Sequence, residues 1–388
     1  MVVLMLREIL KKVAHFSEQK PFLMLLIILI ITVFAGISAT NVKSQTAFEK
    51  MLPQDNPIIK TLYEVRDEFG GTDVITICIK LKPSDSSDKV VDIRDPRVLK
   101  AIKELEDNLR YVDGITSVSS PVDIIIQKNN GIVPNDIDTV KDILNKLPED
   151  KRKRIFNSDY SMTVVNAYTD AGGDQKKLMR VMDDVNERIE ETPFPPGVEV
   201  IATGTPPMRK LMDELMKESQ SFTTTVGLIG ILIILIIYFR KPLSSIMPLL
   251  PVLIAVIWTG GAMGLLDIPL DMATAGIGSL ILGLGIDYGI HLMHRYDEER
   301  RKGMPIDKAI ETAVVETGTA VMATTATTVV GFLALVLAPL PMMANLGKVC
   351  ALGISFCMVV VLTLLPALIV IEERHIMPLI KRLKGDTQ

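Results

Sequence analysis

The sequence predicts an α-helical membrane protein of six transmembrane helices, with an α+β domain of ferredoxin-like (βαββαβ) pattern inserted between spans one and two. Three observations lead there. Apolar residues make up 48% of the 388-residue chain and the mean hydropathy is +0.34, above what a water-soluble chain usually shows. Charged residues, 23% of the total, avoid several stretches of span length and gather in one long middle segment. That segment carries the periodicities of ordinary soluble helices and strands.

Uncharged apolar runs long enough to cross about 30 Å of hydrocarbon occur once early, over Phe22–Ala39, and five times late. The late runs are Phe222–Phe239, Ser245–Leu266, Met272–Leu292, Thr317–Leu337 and Leu346–Ile371. Basic residues precede the first run and Ala35, Gly36, Ser38 and Ala39 end it, as in a signal peptide. Its apolar stretch is longer than a signal core, so it reads as an uncleaved anchor. Arg7, Lys11, Lys12 and Lys20 precede span one, and Arg240 and Lys241 follow span two. Arg295, Arg300, Arg301, Lys302 and Lys308 follow span four, and Arg374, Lys381, Arg382 and Lys384 follow span six. The short segments on the opposite side hold only Lys348, so positive charge places both termini in the cytoplasm. The expected organisation is a cytoplasmic N-terminal helix (1–21), span one (22–41), an extracytoplasmic domain (42–221), spans two to six (222–371) and a cytoplasmic tail (372–388).

Within 42–221, Gln45–Phe69 reads as helical with a break at Met51-Leu52-Pro53, and Ile58, Ile59, Leu62 and Val65 form an apolar face. Thr72–Leu81 alternates as a strand. Asp95-Pro96 opens a helix to Tyr111, since proline is tolerated at the first helical position, and Gly114–Ser119 is a second strand. A polar insertion follows, with one helix over Asp136–Leu147. Ser161–Thr169 is a strand, Asp174–Glu191 a helix and Gly197–Ala202 the last strand. The order βαβ, insertion, βαβ is the split βαβ pattern. A final helix, Pro207–Gln220, runs toward span two and stiffens the joint. Lys151-Arg152-Lys153-Arg154 reads as a solvated loop, with contact to anionic headgroups as the competing reading.

Several functions are excluded. A net charge of −4 and a pI near 5.7 do not suit nucleic acid, which demands a basic patch. Cys78, Cys350 and Cys357 are too widely spaced for a disulfide framework or a CxxC metal site. With no P-loop, no metal spacing and no Ser-His-Asp set outside the membrane, neither an enzyme nor a cofactor is expected.

One charge stands out. Asp287 lies inside the fourth run, about 12 Å from Arg295 at 1.5 Å rise per residue. An isolated carboxylate there costs a few kcal/mol at least, so it must be paired, protonated or water-lined. Such a group is a candidate to load and release a proton, or else a structural hydrogen-bond anchor. Tyr288 adjoins it but points about 100° away, so the partner of Asp287 belongs on another helix. His291 is four residues on, on the same face, either passing protons toward the cytoplasm or serving as a satisfied interfacial histidine. His294 falls one turn farther, at the interface. Gly283, Gly285 and Gly289 allow close helix approach. Thr324, Thr325 and Thr328 in the fifth run offer hydroxyls for relay or packing, and Asp267 and Asp271 read as interfacial loop charges.

The run Gly283-Leu284-Gly285-Ile286-Asp287-Tyr288-Gly289-Ile290-His291-Leu292, followed by Arg295-Tyr296, resembles the fourth span of resistance-nodulation-division (RND) transporters. It is most similar to their MMPL and hopanoid-exporter branch (HAE3-type), which shares a core with the sterol-sensing domain of Patched-like proteins. Phe48…Leu52-Pro53…Phe69-Gly70-Gly71, Thr317-Gly318…Thr324-Thr325…Gly331-Phe332 and Leu364-Leu365-Pro366-Ala367 match as well. The resemblance implies that the outside domain is a porter-type subdomain. It also implies that the Asp287-Tyr288 pair carries protons whose flow exports lipids or other hydrophobic or amphiphilic molecules. Typical members hold two such halves in one chain and this sequence contains one, so the expectation by analogy is a homodimer, or pairing with a second half-transporter, in which Asp287 of one half faces Tyr288 of the other. A SecD/SecF-like protein-export accessory and a non-transporting sterol or lipid sensor are the competing readings.

Overall fold

A computed structural model of the chain describes residues 2–69, 73–240 and 245–378. Gly70, Gly71, Thr72, Lys241, Lys381, Arg382 and Lys384, all used above, lie outside the described residues. The chain divides into two compact units, Met1–Gln45 with Leu215–Gln388, and Thr46–Glu214. It opens with α1 (Val2–Gln19) and α2 (Pro21–Ala39). The second unit holds α3 (Pro57–Phe69), β1 (Asp73–Leu81), α4 (Pro96–Leu109), β2 (Ile115–Ser119), α5 (Pro121–Lys128) and α6 (Ile137–Asn145). It continues through α7 (Glu149–Ile155), β3 (Met162–Thr169), α8 (Gln175–Glu191) and β4 (Val198–Gly204). Then come α9 (Thr205–Phe239), α10 (Leu249–Leu265), α11 (Ile277–Arg301), α12 (Ile306–Ala334) and α13 (Pro341–Ile371).

In the Thr46–Glu214 unit the strand order is β2-β3-β1-β4, with every neighbouring pair antiparallel. Asp73 faces Thr169 across β1 and β3, and Leu81 faces Val198 across β1 and β4. Alternation along β1 buries Ile75, Ile77 and Ile79 completely. They share a core with Leu99, Ile102 and Leu105 of α4 and Val181, Met182 and Val185 of α8. Each such aliphatic side chain contributes about 1.5–3 kcal/mol by leaving water. The helices begin where the sequence places caps: the Asp95 carboxylate accepts from Arg97 N at 2.9 Å, and that of Asp174 from Lys176 N at 2.9 Å. Backbone hydrogen bonding from Lys177 holds the Asp174 carboxyl below its usual range. Nearby, Arg66 pairs with Glu49 at 3.2 Å and with Asp73 at 3.6 Å. Burial pushes the Asp73 carboxyl up, against the pull of Arg66 and Arg209.

The insertion between β2 and β3 differs from expectation, with three helices in place of one. Its first helix follows a capping box in which Ser120 and Asp123 satisfy each other's backbone N–H groups. Its last, α7, takes up Lys151-Arg152-Lys153-Arg154, which is therefore helical rather than a loop. Glu149 and Asp150 in the first turn and the basic run in the last complement the helix dipole, and Lys153 pairs with Glu149 at 2.6 Å.

Four helical segments among the described residues are long and apolar enough to cross a membrane: Pro21–Ala39, Thr205–Phe239, Ile306–Leu337 and Pro341–Ile376. Leu249–Leu265 is apolar but shorter, at 17 residues. In α11, glycines, Asp287, His291 and His294 dilute the apolar content. This helix starts at Ile277 rather than Met272. Asp271, in the loop before this helix, is only 1% exposed. Its carboxylate closes a turn by accepting from Ala273 N and Thr274 N, both at 3.0 Å, and from Asn345 Nδ2 at 3.4 Å. Asp267 is exposed and pairs with Lys43 at 3.0 Å.

Lipid tails are as apolar as leucine, so close packing and interhelical hydrogen bonds hold such helices together. Trp258 Nε1 donates to Thr32 Oγ1 at 3.0 Å, and Ser38 Oγ to the Gly261 carbonyl at 2.9 Å. Val252, Leu282, Val314, Val349, Cys357 and Leu365 are fully buried between helices. Ion pairs collect at one end of this bundle, where Arg374 meets Glu18 at 2.5 Å and Arg300 meets Glu373 at 2.9 Å.

Candidate functional site

The geometry of α11 separates the two residues that the sequence puts side by side. Leu280, Leu284, Asp287, His291 and His294, at spacings of four, three, four and three, are exposed along one face. Tyr288 is on the buried side, 8% exposed, among Gly285, Gly289 and Leu292. Asp287 and Tyr288 therefore point in different directions, as the 100° step requires. The Asp287 carboxylate makes no hydrogen bond or ion pair among the described residues. The Tyr288 hydroxyl accepts from Thr325 Oγ1 of α12 at 2.9 Å, and Thr325 is 3% exposed.

A Cβ at Gly285 would lie 2.5 Å from Cys357 Sγ, and one at Gly289 2.8 Å from Pro248 Cβ, so only glycine fits at either position. At Gly283, by contrast, a Cβ would meet nothing within 4 Å among the described residues. Among the described residues it packs against no other helix.

A cavity of about 690 Å³ opens between α11 and α12, with Ile354 of α13 in its wall. Asp287, Tyr288, His291, His294, Arg295 and Glu316 line it, together with Thr317, Thr324 and Thr328. The structure thus brings together the proposed acid, tyrosine and histidine and two of the three candidate threonines, while Thr325 backs the tyrosine from behind. Thr324 Oγ1 donates to the Val321 carbonyl at 3.0 Å, and Thr328 Oγ1 to the Thr324 carbonyl at 2.9 Å. Their protons are spent on their own helix, which leaves their oxygens free to accept only.

Sequence reasoning did not include Arg295 and Glu316 in the site. Arg295 Nη2 binds Glu316 at 2.5 Å and Glu299 at 3.1 Å, and Nη1 binds Glu298 at 2.9 Å. Glu316 precedes the apolar run and looks like a flanking charge. The signal that finds it is helix length: α12 starts at Ile306, so Glu316 sits one turn before Ala320 on a wall of the same cavity. No group of His, Cys, Asp and Glu among the described residues could hold a metal ion.

Several span-length apolar helices, beside a cavity lined by ionisable groups, define a multi-pass membrane protein. The chain belongs to the MMPL family, whose model matches residues 50–385. It is 28% identical over 314 residues to the putative membrane protein ActII-3 of Streptomyces coelicolor, covering 79% of this chain and 40% of that protein. It is 27% identical over 149 residues to the sulfolipid-1 exporter MmpL8 of Mycobacterium tuberculosis, covering 37% of this chain and 14% of that protein. With the probable transport protein MmpL4 of Mycobacterium leprae it shares 28% identity over 213 residues, 52% of this chain and 22% of the relative. The matched region thus spans two fifths or less of each of these curated relatives.

Proposed function

We propose that the chain is a unit of a proton-driven exporter of lipids or other hydrophobic or amphiphilic molecules, with Asp287 as the proton carrier and Tyr288 and His291 as its relay partners. The single observation that carries this reading is Asp287, a carboxylate with no hydrogen bond or ion pair among the described residues, exposed beside Leu284, His291 and His294 on one face of α11. A carboxylate facing lipid is costly, so this face is to be covered by a second six-helix half whose tyrosine and acid meet this one's. A second copy of the chain is the simplest such half. The relatives named as transport proteins, one of them a sulfolipid exporter, support transport of a lipid-like molecule rather than catalysis.

The same reading takes α10 and α11 as spans beside the four span-length segments, giving six. The Arg374–Glu18 and Arg300–Glu373 pairs gather the basic segments before span one, after span four and after span six at one end, which supports cytoplasmic termini. The region 42–221 then lies outside. Its strand order, with α4 and α8 on a shared core, supports a ferredoxin-like porter domain. Proton loading at Asp287 would neutralise it, release its partner in the other half and let the helices shift, with α9 carrying that motion to the domain.

The test uses protein reconstituted in liposomes containing a pH-sensitive dye. Asp287→Asn is expected to remain monodisperse and lose uncoupler-sensitive proton entry, whereas full proton entry by this variant would remove the carrier assignment. The mass of the reconstituted assembly checks the pairing, with an even number of copies expected.

A further inference from the structure

Among the described residues, Glu316 lines two cavities. It closes one end of the 690 Å³ cavity that contains Asp287. It also lines a second cavity of about 190 Å³ together with Arg7, Lys11, Glu311, Thr312 and Val315. Along α11, the titratable groups Asp287, His291 and His294 descend one face in steps of about 6 and 4.5 Å of helix rise. Below His294 that face runs out of titratable groups within the cavity, and the next carboxylate, Glu316, is offered by α12. Arg295 holds it there at 2.5 Å, bridging the two helices. The charged and titratable groups around Glu316 are His294, Arg295 and Glu299 on α11, Arg7 and Lys11 on α1, and Glu311 on its own helix.

On the reading of Asp287 as proton carrier, we propose that Glu316 is the cytoplasmic terminal group of the path. It takes the proton that arrives at His294 and releases it to water through the second cavity, while Arg295 positions the carboxylate between the two. The transfer relocates one proton without other change. The Asp287 O–H breaks as an N–H forms on His291, whose second ring proton passes to His294. His294 in turn protonates a Glu316 oxygen, and that O–H ionises to water. Protonation of Glu316 cancels its charge and weakens the Arg295 bond, so release and re-formation of the clasp follow each proton. The second cavity, with Arg7 and Lys11 in its wall, then draws the carboxylate away from Arg295 on the side where the proton leaves.

The experiment measures uncoupler-sensitive proton flux into dye-loaded liposomes for the wild type, Asp287→Asn, Glu316→Gln and Glu316→Asp. Each is first checked for monodispersity and thermal stability. Glu316→Gln is expected to lower flux roughly a hundredfold, the low end for a lost proton-transfer group. Rising concentrations of an impermeant buffer, MES, on the side the termini face are expected to restore it, because the buffer replaces the missing acceptor. Glu316→Asp is expected to retain most of the flux with little response to buffer. Wild-type flux in Glu316→Gln beside a dead Asp287→Asn would overturn this inference alone. So would a loss that neither buffer nor Glu316→Asp repairs, which would make Glu316 a structural residue. A wild type without proton flux would sink the carrier reading and this inference with it.

Discussion

Thr325→Val isolates the hydrogen bond that ties the Tyr288 hydroxyl to α12. Valine keeps the β-branched shape that suits this buried helix position and replaces the hydroxyl by a methyl. The lost bond is an ordinary O–H···O contact at 2.9 Å between residues 3% and 8% exposed, so neither solvent nor lipid offers a ready substitute. Hydrogen bonds between membrane helices average about 0.6 kcal/mol and reach about 1.7 kcal/mol, and the buried setting places this one toward the upper figure. Thermal unfolding in detergent is expected to show that loss, and the cycle through Tyr288→Phe and the double variant is expected to return it as a coupling energy. If Tyr288 leaves Thr325 to meet the carboxylate of a second half, freeing it favours the active arrangement by the same amount. Proton flux should then rise about 3- to 18-fold, at 1.36 kcal/mol per tenfold. Unchanged stability with an additive cycle would refute the bond's contribution. Flux that falls as far as in Tyr288→Phe would show that Thr325 lies on the relay and does not act as a restraint.

Two further outcomes follow from packing and capping. Gly285→Leu and Gly289→Leu should abolish a folded bundle, and Gly285→Ala should cost about 1–3 kcal/mol by overpacking against Cys357; Gly283→Ala, facing open space, should be neutral or stabilise the single chain by up to about 1 kcal/mol, as detergent melting curves would show. Asp174→Ala should cost about 1 kcal/mol at neutral pH, since the carboxylate caps α8. Because the Asp174 carboxyl is held below its usual range, its stabilisation is full above the unfolded-state value near pH 4 and is lost as pH falls through the lower folded value. Amide exchange at Lys176 and Lys177, compared between variant and wild type at each pH, should differ at pH 7 and converge in acid.

Much of this molecule was legible from residue pattern. Strand alternation at Val74–Leu81 and Met162–Thr169 and the caps at Asp95 and Asp174 are local properties, so the elements fall within a few residues of where the sequence puts them. The helices α5 and α7 were missed because each is short, and a polar, proline-containing insertion shows little periodicity. Their starts were nonetheless written in Ser120…Asp123 and in Glu149-Asp150 before the basic run. The late start of α11 was legible only in part: Asp271 closes a local turn through Ala273 N and Thr274 N, whereas its burial comes from tertiary packing, in which Asn345 of a distant helix reaches its other oxygen.

The candidate site divides the same way. The sequence by itself determined the unusual acid within an apolar run, its face shared with His291 and His294, and the family. An unpaired charge in an apolar run is costly wherever the helix packs, and helical spacing fixes which residues share a side. Only the tertiary structure decided which way that face looks. It turned Tyr288 inward to Thr325, left Gly283 facing open space among the described residues, and drew Arg295 and Glu316 into the cavity wall. Those are contacts between α11 and α12, and the rotation of one helix against another is set by how their side chains interlock, which no single helix records.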